Sequence, residues 1–224
     1  MTGNIVLGTN TVGGLQITTT ATNNIGLGAN AVNSITTGDY NLGLGNNALT
    51  ANTTGSSNNA LGDSALAQNT SGGRNTSIGE GSLYDNISGG DNTAVGKSAL
   101  ANNTTASHNT AIGTNSLNVN ITGDQLTAIG FESLQANTTG HSSIAVGYRA
   151  LYSNTTATYN VAVGKRALQA NTTGADNVAV GGDALVANTT ASYNTAVGRE
   201  ALKANTTGAY GTGIGQNALT ANTT

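Results

Sequence analysis

The 224-residue sequence contains no cysteine and no proline, and Phe131 is its only phenylalanine. Without cysteine there is no disulfide framework, and the redox compartment is not encoded. Without proline every backbone N–H is kept, which suits a chain whose amides are needed for ladder bonds. Charge is equally scarce: 8% of residues are charged and the net charge is −3. No run of Lys or Arg occurs, so nucleic-acid binding through a basic patch is not expected. No apolar run is long enough for a transmembrane helix, so membrane insertion is not expected either. Met1-Thr2-Gly3-Asn4 lacks the basic and apolar regions of a secretory signal.

What is present is a repeat. A unit of seventeen residues, seen clearly in Asn194–Tyr210, recurs without change of length from Asn24 onward, giving twelve copies, the last shortened. A fixed period of this length marks a solenoid, in which one coil cannot bury its apolar face alone. Aliphatic residues are too few per coil to fill a wide globular core. A disordered linker would have no need to keep their positions. The expected fold is all-β, a parallel β-solenoid of β-roll or β-helix type built from 17-residue coils. Residues 1–23 read as a modified first coil, and residues 24–224 as one continuous solenoid.

With Asn24 as position one, position four is always Leu, Ile or Val, and position five is always Gly. Position three is always Gly, Ala or Ser. Alternation over positions two to four predicts a short strand with position four inward. Gly at position five predicts a positive φ or a close backbone approach. Position nine, Leu in eleven copies, supplies a second apolar anchor, expected on a second short strand. Position twelve is Asn in every copy but the first, and stacked Asn side chains can form a ladder. The core and ladder set is therefore Val95, Leu100, Asn103, Val163, Leu168, Asn171, Val180, Leu185, Asn188, Val197, Leu202 and Asn205.

Every charged residue falls at positions six, seven, ten, eleven, sixteen or seventeen, which must face water. The strand carries no charge on either side of its alternation, and a strand uncharged on both faces is usually covered on both. Small residues at position three, read as outward, would let another chain approach. This predicts several chains side by side, with a homotrimer as the expected assembly; the alternative is a tight single-chain solenoid whose small residues only fit its bends. The last copy stops at position fourteen, and Met1-Thr2-Gly3 would fill positions fifteen to seventeen, so head-to-tail stacking would continue in phase.

The core Asn-Thr-Ala-Val-Gly-x-x-Ala-Leu-x-x-Asn-Thr-Thr-Gly resembles repeats of phage tail-fibre and related surface proteins. Segments such as Asn92–Gly96 and Ser143–Gly147 are similar to the head repeat of trimeric autotransporter adhesins. There, a Val-Ala-Ile-Gly strand builds a trimeric left-handed parallel β-roll. The resemblance implies a fibre at a virion or bacterial surface. It departs in unit length, since seventeen residues exceed the adhesin repeat. No coiled-coil stalk, membrane anchor or C-terminal chaperone region is visible.

Regular repeats rarely bring unlike catalytic groups together, so no enzyme activity and no cofactor are expected. His108 and His141 lie two coils apart and read as isolated surface residues. The acidic residues form no calcium-loop pattern, and no metal site is expected. Tyr40, Tyr159, Tyr193 and Tyr210 all occupy position seventeen and could form a stripe for a cell-surface glycan, or could only cover the turn. Threonines at positions thirteen and fourteen form files similar to those of ice-binding solenoids, although adjacent positions would point to opposite faces. The expected function is an extracellular or virion fibre subunit that associates with itself. A carbohydrate-binding shaft is the alternative, and ice binding ranks behind it.

Overall fold

The computed structural model of the chain describes residues 15–16 and 21–223. A single sheet of thirteen strands runs in chain order. β1 (Leu15–Gln16) is followed by β2 (Ile25–Leu27), and a three-residue strand then recurs in every coil through β10 (Val161–Val163) and β11 (Val178–Val180) to β13 (Thr212–Ile214). Twelve strands, β2 to β13, are parallel and in register, so Val161, Ala162 and Val163 sit beside Val178, Ala179 and Val180. The fold is therefore an all-β parallel solenoid with seventeen residues per coil. β1 differs: it pairs antiparallel with β2, Leu15 opposite Leu27 and Gln16 opposite Gly26. This part of the segment read as a modified first coil does not continue the parallel register. Residues 1–14 and 17–20 of that segment lie outside the described residues.

Each coil is a short strand, two reverse turns and a corner. The strand is bonded along the axis on both sides: Val161 donates its N–H to the Asn177 carbonyl at 2.8 Å, and Gly164 to the Val146 carbonyl at 2.8 Å. A first turn is closed by the Ala167 N–H on the Gly164 carbonyl, and a second by the Asn171 N–H on the Leu168 carbonyl. No second strand forms among the described residues, which corrects the expectation for position nine. Leucines there adopt left-handed backbone, with φ of 54° at Leu100 and 52° at Leu168. That conformation costs an L-residue about 1–2 kcal/mol. Burying a leucine side chain contributes about 1.5–3 kcal/mol. Leu49 through Leu202 are completely buried, so packing at the centre of the tube offsets the strain of the turn.

Glycine at position five answers both needs proposed for it. Gly96 has φ of +131°, and a Cβ there would lie 2.7 Å from the carbonyl carbon of Gly113 in the next coil. The backbone is both left-handed and too close to its neighbour for any side chain.

The strand alternation is the reverse of the sequence reading. Position three points inward: Ala94, Ala162, Ala179 and Ala196 are completely buried. Position four points out, with Val163 and Val180 each 36% exposed and Val197 37% exposed. Val95 is half-buried on the same face. The assignment of Val95, Val163, Val180 and Val197 to the core is thereby corrected. The physical reason is room. A Cβ at Gly213 would already meet Leu202 Cγ at 3.1 Å, so the leucine of the preceding coil leaves space for only a methyl or a hydroxymethyl group at position three.

Two columns of asparagine complete the interior. At position twelve, Asn103, Asn171, Asn188 and Asn205 are buried. Asn171 Nδ2 donates to Asn154 Oδ1 at 3.1 Å and to the Gly174 carbonyl at 2.9 Å, while its Oδ1 accepts from Asn188 at 2.9 Å. At position one, Asn41 Oδ1 accepts the backbone N–H of Asn58 at 3.0 Å, and Asn41 Nδ2 donates to the Gly55 carbonyl at 2.9 Å. One carbonyl of the corner thus receives an asparagine from each column, because Asn52 Nδ2 also donates to Gly55 at 2.9 Å. Neutral amides satisfied at both ends can be buried where a charge could not.

Candidate functional site

With position three inward, positions two and four form one outward face along all twelve parallel strands. Its members are aliphatic or Thr, with Asn59 the single exception, and none is charged. Ile25, Leu61, Ile78, Ile112, Ile129, Ile144 and Ile214 are among its exposed residues, from 37% to 71% exposed. Charges are confined to other faces, where they pair along the axis between adjacent coils. Arg74 grips Asp91 with Nε and Nη2 at 2.6 and 2.7 Å, and Arg166 grips Asp183 at 2.7 and 2.9 Å. Arg149 Nε meets Glu132 at 2.6 Å, and Lys97 Nζ meets Glu80 at 3.0 Å. The hydrogen bond from Arg74 holds the Asp91 carboxyl below the usual carboxylate range. Lys203, hydrogen-bonded to Glu200, does the same there.

The tyrosines at position seventeen do not line up as one platform. Tyr193 and Tyr210 stack on each other, with centroids 5.1 Å apart and planes 6° apart. Tyr159 meets His141 edge to face at 5.4 Å, and Tyr40 is exposed by itself. Stacking along the axis turns one face of Tyr193 and one face of Tyr210 toward each other, while both side chains stay exposed, Tyr210 at 78%. Tyr148 and Tyr152, which the sequence places near the position-seventeen stripe, belong to a second aromatic group, whose members Phe131 and Arg149 the sequence reading did not assign. Phe131 and Tyr148 stack at position six with centroids 5.7 Å apart, and Arg149 lies over Tyr148 and Tyr152. Its signal was Phe131 and Tyr148 standing one repeat apart.

The threonines divide by position. At position thirteen the hydroxyl is engaged, as when Thr53 Oγ1 donates to the Thr70 carbonyl at 3.0 Å and Thr172 Oγ1 to the Thr189 carbonyl at 3.0 Å. Only position fourteen, for example Thr54, Thr139 and Thr190, offers an exposed file. His108 Nε2 lies 3.8 Å from Asp91, and His141 is on another part of the corner. Among the described residues no group of three or more His, Asp or Glu side chains is placed to hold a metal ion, and no helix is long and apolar enough to cross a membrane.

What the arrangement can do chemically follows from its regularity. It offers one long uncharged face, columns of paired charge, and a corner of hydroxyls and small residues. No family model, no curated protein and no solved structure matches this chain.

Proposed function

We propose that the chain is a structural fibre subunit whose copies associate side by side through the outward strand face, with three chains around a common axis. The observation that carries this reading is the uninterrupted uncharged face at positions two and four, half-exposed to exposed in a chain that keeps its charge elsewhere. Its position-four column is apolar in every coil, and exposed apolar patches mark contact surfaces. Eleven strand spacings of about 4.8 Å make the face roughly 53 Å long. At a width of about 15 Å it offers about 800 Å² per chain, which a three-fold ring divides into about 400 Å² toward each of two neighbours.

Each strand carries two outward columns about 7 Å apart, one at position two and one at position four. In a closed three-fold ring every copy meets its two neighbours through different edges. Position two of one chain then faces position four of the next. Head-to-tail continuation is not part of the proposal, because β1 pairs on the edge of β2 that an incoming coil would need. The resemblance of the unit to tail-fibre and adhesin repeats supports a place at a virion or bacterial surface.

The test is the mass of the purified protein by sedimentation equilibrium across a wide concentration range. Three chains are expected. A monomer at every concentration overturns the proposal, and a dimer overturns the three-fold arrangement while leaving the face in contact.

A further inference from the structure

A groove of about 620 Å³ runs along the corner of positions fourteen to seventeen between Thr54 and His108. Its floor is cut at position sixteen. In several coils that position carries a side chain that accepts the backbone N–H of its counterpart in the preceding coil. Ser56 Oγ accepts from Asp39 at 3.0 Å, Ser107 Oγ from Gly90 at 3.0 Å, and Ser192 Oγ from Ala175 at 2.9 Å. In two successive coils the position is glycine, Gly73 and Gly90. The N–H groups of Ser56 and Gly73 consequently have no protein acceptor among the described residues.

The space beside them is vacated by the missing side chains. A Cβ on Gly73 would sit 3.7 Å from Ser56 N, and one on Gly90 would sit 3.8 Å from Gly73 N. The same amide is free in the coils preceding His141, Thr158, Ala175 and Ala209, but there a side chain occupies the room that glycine leaves open. Hydroxyls of Thr54, Ser71 and Ser88 form one wall. Arg74, Asp91 and His108 form the other, with Arg74 70% exposed at its side chain and Nη1 not engaged by Asp91.

We propose that this groove binds a linear oligosaccharide lying along the solenoid axis, about one sugar ring per coil. Two N–H donors one coil apart, about 4.8 Å, suit a ligand that repeats at that spacing. Sugar hydroxyls both donate and accept. They would accept from Ser56 N, Gly73 N and Arg74, and donate to Asp91 and to the wall hydroxyls. The opposite charges of Arg74 and Asp91 give the site no strong net sign, so it favours a polyol over a polyanion. Its walls are polar, which disfavours an apolar ligand. The site is on a different face from the strand contacts, so its success or failure is independent of lateral association.

Titration of the full chain with cellohexaose, chitohexaose and a hexaguluronate, followed by isothermal calorimetry or ligand-observed NMR, tests the idea. At least one of the neutral hexasaccharides is expected to bind at about millimolar concentration or below. Gly90→Ser installs the side chain that Ser56 and Ser107 already carry, with its Cβ 3.1 Å from the Gly73 carbonyl oxygen, so the coil should still fold and its far-UV circular dichroism should be retained. The serine caps the Gly73 amide, and saccharide affinity should fall at least about tenfold. Gly182→Ser, at a position where a Cβ meets nothing within 4 Å, should leave binding unchanged. No binding by either neutral hexasaccharide, or binding that survives Gly90→Ser, overturns the proposal.

Discussion

Val180→Asp separates the coil from the assembly. Val180 is 36% exposed and sits midway in a run of outward valines with Val163 and Val197. Full burial of a valine contributes about 1.5–3 kcal/mol, so covering the remaining third contributes about 0.5–1 kcal/mol per chain. The aspartate forfeits this and also places a carboxylate against an apolar face that carries no positive charge. An unpartnered buried polar group costs at least about 1–3 kcal/mol, and a charge costs more. Summed over three chains the loss exceeds about 5 kcal/mol, more than three decades in the association constant. At micromolar concentration the variant should sediment as a single chain. Its far-UV circular dichroism should be retained, because an exposed strand position costs only about 1 kcal/mol in β-propensity. Ala179→Asp, one residue away and completely buried, should instead abolish the folded spectrum. If Val180→Asp unfolds the chain, position four is needed inside and the outward face is misassigned. If it stays trimeric, the chains meet elsewhere.

Asn171→Ala should lower unfolding free energy by about 2–4 kcal/mol in chemical denaturation, because it leaves Asn154 Oδ1 without its donor and Asn188 Nδ2 with one acceptor instead of two. A change below about 0.5 kcal/mol would mean that the ladder does not hold the coils. Gly96→Ala should cost more than about 2 kcal/mol, combining left-handed backbone with the 2.7 Å approach of Gly113. A melting temperature equal to that of the unaltered chain would contradict the close contact between coils. Stability should depend weakly on pH. Asp91 and Glu200 have lowered carboxyl pKa values, so their contribution is complete above the ordinary carboxylate range and is lost as pH falls through the lowered values. Both groups are solvated, so the decline should be shallow and confined to acid. A steep loss of melting temperature near neutrality would point to a buried titrating group instead.

The period, the parallel architecture and the two interior columns at positions nine and twelve were legible because repetition multiplies each signal twelvefold. The sense of the strand was not. Position four is aliphatic in every copy, and by hydrophobicity alone it belongs inside. Packing decides otherwise: Leu100 or Leu168 fills the narrow tube, and only the methyl of Ala94 or Ala162 fits beside it. The turn at position nine was hidden for a related reason. Leucine is a poor left-handed residue, and nothing local announces φ near 50° at Leu185 and Leu202. Only the pull of a shared core selects that conformation. The second asparagine ladder left a trace, since Asn opens nine of the twelve units, but a turn explains Asn equally well at that level.

This reversal strengthens the case for self-association, and it changes the contact that carries it. On the sequence reading, small residues would face the partner and the aliphatic column would lie in the core. In the folded chain, the leucines of position nine and the two asparagine columns already complete the coil, so valine or isoleucine at position four is surplus to its stability. A chain with 8% charged residues that retains Val163, Val180, Val197 and Ile129 on an open face exposes an uncharged surface where charged residues would keep single chains apart. In the proposed assembly, side-by-side packing would remove that surface from water and leave the ion-paired columns at positions six, seven and seventeen as the solvated exterior.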